Sequence, residues 1–212
     1  AEGDWFGLEI SGLIGYLHNS NVSVQEMKGL NGKTIIIDPG HGGHDPGALG
    51  NGLQEKEIVL DVSLRIRDLL VGEGAKVIVT RERDIFLELP ERVDIARKNN
   101  ADLFVSIHVN SFFSSSANGA ETYYSPNTTF SNDSKRLAEN IQKHLVKTAG
   151  MHDRGVKTAN FHVIRYNVVP SALVELGFIT NHSDAQKLKS HSHRDKFARA
   201  VYQGIMEYFN GR

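Results

Sequence analysis

Three isoleucines in a row, Ile35-Ile36-Ile37, stop abruptly at Asp38-Pro39-Gly40, and nothing else in the chain constrains its fold as much. With Thr34 they form a short apolar, β-branched run of the kind that makes a buried strand. Proline then removes a backbone donor and glycine permits angles other residues avoid, so the strand must end there. The loop that follows carries His41 and His44 among Gly42, Gly43, Gly47, Gly50 and Gly52. Open α/β sheets build their sites just past the ends of such strands. Beyond this loop Glu55 opens a helical pattern. One loop thus offers an imidazole and a carboxylate, which suggests a metal.

From Lys33 onward, strand-like and helix-like patterns alternate. Glu55 to Val71 places apolar residues at 58, 59, 62, 66, 69 and 70, the stripe of an amphipathic helix that Gly72 and Gly74 end. Lys76 to Thr80 reads as a strand, Pro90 to Asn99 as a helix, Leu103 to His108 as a strand and Thr122 to Tyr124 as another. Ser131 to Thr148 is a long helix with Leu137, Ala138, Ile141 and Leu145 inward. Phe161 to Ile164 and Leu173 to Leu176 read as two more strands, and Ser183 to Leu188 and His193 to Phe209 as closing helices. This order predicts an α/β fold: one mixed, mostly parallel sheet of about six strands with helices on both faces.

The first 31 residues differ. Asp4 to Ile10 and Leu13 to Leu17 are short strand-like runs joined by Ser11-Gly12, Asn19 to Val22 looks like a turn, and Gln25 to Gly32 reads as a linker. An isolated hairpin is marginal in water. Trp5 and the run Gly15-Tyr-Leu-His-Asn-Ser-Asn-Val22 resemble the last strands of a bacterial SH3-type wall-binding module. The division expected is therefore 1–31, a module remnant plus linker or else a hairpin of the main domain, and 32–212, the main domain.

Composition closes off several function classes. Lys plus Arg number 24 against 25 Asp plus Glu, so a net charge of −1 makes no case for nucleic acid or an anionic membrane surface. No apolar run approaches the roughly 20 residues that span a bilayer, so no membrane insertion is expected. With no cysteine among 212 residues, a transition metal would have to rely on histidine and carboxylate. The chain opens at Ala1 without a signal-peptide pattern, which reads as a processed piece of a longer protein.

Three strands end in a residue that can bind or activate. The first delivers His41, the third His108, and the last, Leu173-Val-Glu175-Leu-Gly177, sets a carboxylate in apolar surroundings. Desolvating an unpaired charge costs several kcal/mol, so something must compensate for Glu175. In a parallel sheet these ends emerge on one edge. His41, His108 and Glu55 then make two imidazoles and a carboxylate, a usual catalytic zinc set with a fourth position for water. A further unligated carboxylate, Glu175, would be the general base. Simpler readings stand beside this one. Each histidine could be a hydrogen-bonded structural group, and Glu55 could serve its helix dipole. Glu175 could pair with Arg81 or Arg165. His44 could support the ligands from behind and His162 line a cleft, while His182, His191 and His193 read as solvated.

Asp38-Pro-Gly-His-Gly-Gly-His-Asp-Pro-Gly-Ala48, Gly52-Leu-Gln-Glu55, Thr80-Arg81 with Asp84, Ser106-Ile-His-Val-Asn110 and Val174-Glu-Leu-Gly-Phe-Ile-Thr-Asn181 together resemble the zinc-dependent N-acetylmuramoyl-L-alanine amidases of the Amidase_3 type. The resemblance runs from residue 33 to about 210, with every motif in order. It implies zinc held by His41, Glu55 and His108, with Glu175 as catalytic carboxylate. The bond cut would be the amide between the lactyl group of N-acetylmuramic acid and L-alanine of the stem peptide, with a zinc-bound water attacking. It further implies a secreted autolysin at the bacterial cell wall with peptidoglycan as substrate.

Relatives that need an activator carry a long helical insertion between the region after His108 and the Glu175 strand. Asn110 to Ser131 is a short loop here, so activity without an activator is expected, and a monomer is the expected state. The competing functions are an idle wall-binding module and a zinc peptidase that cuts within the stem peptide.

Overall fold

The structure, a computed structural model, describes residues 5–10, 13–18 and 29–211. The turn expected at Asn19 to Val22 and the linker from Gln25 to residue 28 lie outside the described residues. Strand β1 (Trp5–Ile10) pairs antiparallel with β2 (Leu13–His18), Trp5 opposite His18.

The isoleucine run becomes β3 (Thr34–Pro39), completely buried from Ile35 to Ile37. Its parallel neighbours are β6 (Lys76–Val79) and β7 (Leu103–Asn110), and β7 is followed by parallel β10 (Ser171–Phe178). Beyond β10 lie the antiparallel β8 (Ala120–Tyr124) and then β9 (Asp153–Thr158), parallel to β8. The sheet order is β6-β3-β7-β10-β8-β9, six strands and mostly parallel, as the alternation of patterns predicts. A small ladder, β4 (Leu49–Gly50) with β5 (Leu53–Gln54), closes the glycine-rich loop.

Side-chain alternation sends successive residues to opposite faces. Ile35, Ile37, Leu103, Val105, Ile107, Ala172, Val174 and Leu176 enter the larger core. There they meet α1 (Glu55–Gly72), α3 (Ser131–Lys147), α6 (His191–Asn210) and Leu188 of α5 (His182–Lys189). Ile36, Phe104 and Leu173 enter a smaller core under α2 (Leu89–Lys98) and α4 (His162–Arg165). This second layer is short. Farther along the same face the strands turn polar: Ile36 gives way to Asp38, Phe104 to Ser106 and His108, and Leu173 to Glu175.

The structure departs from the sequence pattern at two elements. Phe161 to Ile164 is not a strand. Residues 162–165 form the single turn α4, burying Val163 and Ile164 while Phe161 and Arg165 stay exposed. A four-residue apolar run cannot be told from a buried helical turn by period alone. The sixth strand is instead Asp153–Thr158, polar and only partly buried, with no hydrophobic run to announce it. It can be polar because it is a sheet edge. Gly155, at φ 79°, goes with the register break between Ala120 and Thr122 of its partner.

Candidate active site

The site is assembled at the polar end of the smaller face. After β3 the chain turns so sharply that His41 adopts φ 60°, a left-handed value uncommon outside glycine. Two buried arginines hold that turn. Arg81 donates to the carbonyls of Pro39 (3.1 Å), Gly40 (2.7 Å) and Lys56 (2.9 Å). Arg92 donates to Pro39 (2.8 Å), to His41 (2.9 Å) and to the Asp38 carboxylate (2.8 Å). Asp38 also accepts from Thr80 and Ser106, at 2.6 and 2.7 Å. The motif residues flanking the histidines are thus a scaffold for the loop backbone.

Glu55 begins α1, yet its carboxylate does not cap that helix. It is 3% exposed, and its Oε2 accepts from Ala48 N at 2.8 Å and Oε1 from Val109 N at 2.9 Å. The same Oε1 lies 3.1 Å from His41 Nε2 and 3.0 Å from His108 Nδ1. Burial pushes this carboxyl up, but the bonds with His108 and His41 outweigh it and hold it well below the usual range. For His41, burial works downward, while Glu55 and Asp45 outweigh it and raise the imidazole. The other His41 nitrogen, Nδ1, lies 2.7 Å from Asp45 Oδ2, which fixes the ring.

One donor atom from each of His41, Glu55 and His108 lies within 4.8 Å of the other two. Two imidazoles and a carboxylate converging so closely, with a carboxylate behind one ring, fit a divalent transition metal by donor type and by support. Glycine makes the approach possible. A Cβ at residue 47 would lie 2.6 Å from Glu55 Oε2, and one at residue 40 would lie 2.6 Å from His108 Nε2.

Glu175 stands directly beside His108 on the neighbouring strand. With His41 and His108 it lines a cleft of about 480 Å³ whose apolar lining includes Phe86, Leu87, Leu89, Phe161 and Val163. Its Oε2 is buried with no hydrogen-bond partner among the described residues. Neither arginine considered from sequence pairs with it: Arg81 spends its donors on carbonyls, and Arg165 is exposed over Tyr166. Burial first, then the negative charges of Glu55 and Glu121, push the Glu175 carboxyl well above the usual range.

Other histidines fall elsewhere. His44 lies over Phe86, ring centroids 4.3 Å apart, and belongs to no ligand cluster among the described residues. His162 lines the cleft. His193 is not simply solvated, because its Nε2 meets the Ala149 carbonyl at 2.8 Å. Glu121 was missed altogether. The sequence pattern starts its strand two residues late, at Thr122, whereas the strand begins at Ala120 and Glu121 is buried beside Glu175.

The connection between β7 and β8, residues 111–119, contains no helix, and the His41 and His108 side chains remain 24% and 19% exposed at the cleft.

The chain is similar to known proteins over most of its length. The profile of the family described as N-acetylmuramoyl-L-alanine amidase, Amidase_3, matches residues 35–207. The chain is 50% identical over 192 residues to N-acetylmuramoyl-L-alanine amidase LytC of Bacillus subtilis, covering 90% of this chain but only 38% of that protein. The catalytic domain of CwlV, an N-acetylmuramoyl-L-alanine amidase of Bacillus (Paenibacillus) polymyxa, superposes with a TM-score of 0.79 at 37% identity, covering 85% of this chain and 99% of that one. The CwlD amidase of Clostridioides difficile, solved in complex with the GerS lipoprotein, gives 0.80 at 36% identity, over 85% and 100%. The chain therefore belongs to the N-acetylmuramoyl-L-alanine amidase family.

Proposed function

We propose that residues 32–212 are a zinc-dependent peptidoglycan amidase that hydrolyses the bond between N-acetylmuramic acid and L-alanine of the stem peptide. The observation that carries the reading is the convergence of His41, Glu55 and His108 in one cleft with an unpartnered carboxylate oxygen of Glu175. His41, Glu55 and His108 would hold zinc, which when bound supplies Lewis acidity toward the amide carbonyl and toward water.

The chain's own groups account for the rest. Arg81 and Arg92 fix the backbone that presents His41. Ala48 N and Val109 N fix the Glu55 carboxylate, so both oxygens are oriented before anything binds. Glu175, through Oε2, takes a proton from the attacking water and returns it to the departing alanine nitrogen, without which the amine is a poor leaving group. Its raised affinity for a proton suits a group that must both accept and donate near neutral pH. The apolar wall excludes bulk water from one side of the cleft.

The domain acts as a secreted enzyme at the cell wall, as a monomer and without an activator, although CwlD was solved with a lipoprotein bound. Support for independence comes from the short 111–119 connection. Residues 1–31 are an N-terminal hairpin, read by its resemblance as the remnant of an SH3-type wall-binding module, plus a linker.

The test is digestion of purified peptidoglycan by the purified chain alone. New alanine amino termini, lost on chelation and restored by zinc, are the expected result. Amino termini of other residues would make it a stem-peptide peptidase. No product would overturn the enzyme or its independence, and adding a wall extract would distinguish the two.

A further inference from the structure

The row of polar side chains does not end at Glu175. Glu175 pairs with His108 on one side and with Glu121 on the other, so all three project from the same face. Glu121 is 2% exposed and fully engaged. Its Oε1 accepts from Asn110 Nδ2 (2.7 Å) and the Tyr123 hydroxyl (2.6 Å), and its Oε2 accepts from Arg154 Nε (2.8 Å) and Lys157 Nζ. One buried carboxylate therefore anchors two cations of the edge strand β9.

The cations are anchored but not used up. Arg154 bonds Glu121 through Nε alone, and its guanidinium lies 4.8 Å from the Phe178 ring centroid. Its two terminal nitrogens make no hydrogen bond among the described residues, and Lys157 Nζ bonds only Glu121. Their side chains remain 31% and 38% exposed. A guanidinium fixed at one edge and on one face presents its fork at little entropic cost, the geometry that suits a carboxylate. Among the described residues that line the cleft, Arg92 is the only arginine or lysine. It is spent on Leu87, Asp38, Pro39 and His41.

We infer that Arg154 and Lys157 form a subsite for a free carboxylate of the stem peptide, which leaves the scissile amide across β10 and β8 toward β9. The inference rests on the amidase reading. Two strand spacings of about 4.8 Å separate β10 from β9. An extended chain advances at most about 3.6 Å per residue, so the carboxylate recognised is carried two or three residues beyond the scissile amide. Glu121 positions both cations and touches no substrate.

The test uses pairs of synthetic N-acetylmuramoyl peptides that differ only by carboxylate or primary carboxamide at those two positions. With the zinc-loaded wild-type protein, kcat/KM is expected to be about tenfold higher for the carboxylate at one of them, the difference lying in KM, as for loss of one charge-assisted hydrogen bond. Arg154→Gln and Lys157→Gln should bring that ratio to within about twofold. Calorimetric binding of both peptides to Glu175→Gln should show the same preference without turnover. Equal rates and equal affinities in the wild type would overturn the subsite and leave the amidase standing. A ratio that persists in both variants would also overturn it. No alanine amine from either substrate, with the binding preference intact, would overturn the amidase reading and leave the subsite.

Discussion

Glu175 and Glu121 occupy directly paired positions on β10 and β8, yet their surroundings are opposite. Glu121 accepts from Asn110, Tyr123, Arg154 and Lys157, while Glu175 Oε2 has no partner. Burial pushes the Glu121 carboxyl up, but bonds from Lys157, Tyr123 and Arg154 outweigh it and hold it below the usual range. Glu175 has no such compensation and moves up. Two adjacent carboxylates are thus given opposite shifts in proton affinity, which fits one for anchoring charge and the other for moving protons.

Replacing Glu175 by Gln keeps the shape and removes the base. Release of alanine amines should fall by about 10²–10⁴-fold, the usual worth of a positioned acid–base group. Zinc content, read by atomic absorption, should stay at the wild-type level because Glu175 belongs to no ligand cluster. Near-normal turnover in this variant would sink the assignment.

The same residue sets a pH dependence of folding in metal-free protein. Its carboxyl is raised above the ordinary 4.5, so the folded chain binds the proton more tightly than the unfolded chain. Its contribution is fully present below that ordinary value and is lost as pH climbs through the raised one. Urea midpoints of Glu175→Gln and wild type should therefore diverge with rising pH above 4.5, the variant becoming relatively more stable. A constant difference across pH would show that the carboxyl is not raised.

Asp45 orients His41 through a 2.7 Å contact with Nδ1. Asp45→Ala should leave all three donors in place and still weaken zinc binding by about 10–100-fold, as loss of support behind a ligand does. Competition with a chromophoric chelator measures this. An unchanged affinity would mean the ring is held by the arginine-clamped backbone alone.

Arg92 and Asp38 form an ion pair buried on both sides. Arg92→Met removes one partner and leaves Asp38 with only the Thr80 and Ser106 hydroxyls. A loss of about 3–5 kcal/mol in unfolding free energy is expected, because an uncompensated charge stays buried. Urea denaturation decides it, and a loss below about 1 kcal/mol would show that the hydroxyls suffice.

Whatever depended on local pattern was legible in the chain. Ile35-Ile36-Ile37 had to be a buried strand, Asp38-Pro39-Gly40 had to end it, and the 3.6-residue stripe from Ile58 to Leu70 had to be a helix. The alternation of these patterns led to a mostly parallel sheet, and the sheet brought His41, His108 and Glu175 to one edge. Glu55 could be singled out because it opens a helical pattern just past the glycine-rich loop that carries His41.

Tertiary structure decided what local pattern cannot carry. Val163 and Ile164 are buried whether the chain coils or extends, so only packing under α2 selects the helical turn. Asp153–Thr158 becomes a strand because β8 offers it an open edge, a property of the partner and not of its own polar residues. The environment of Glu121 rests on Asn110 and on Arg154 and Lys157, which lie 11, 33 and 36 residues away in the chain. Their meeting is fixed by the pairing of β10 with β8 and of β8 with β9, and long-range pairings of this kind leave no periodic trace in the sequence.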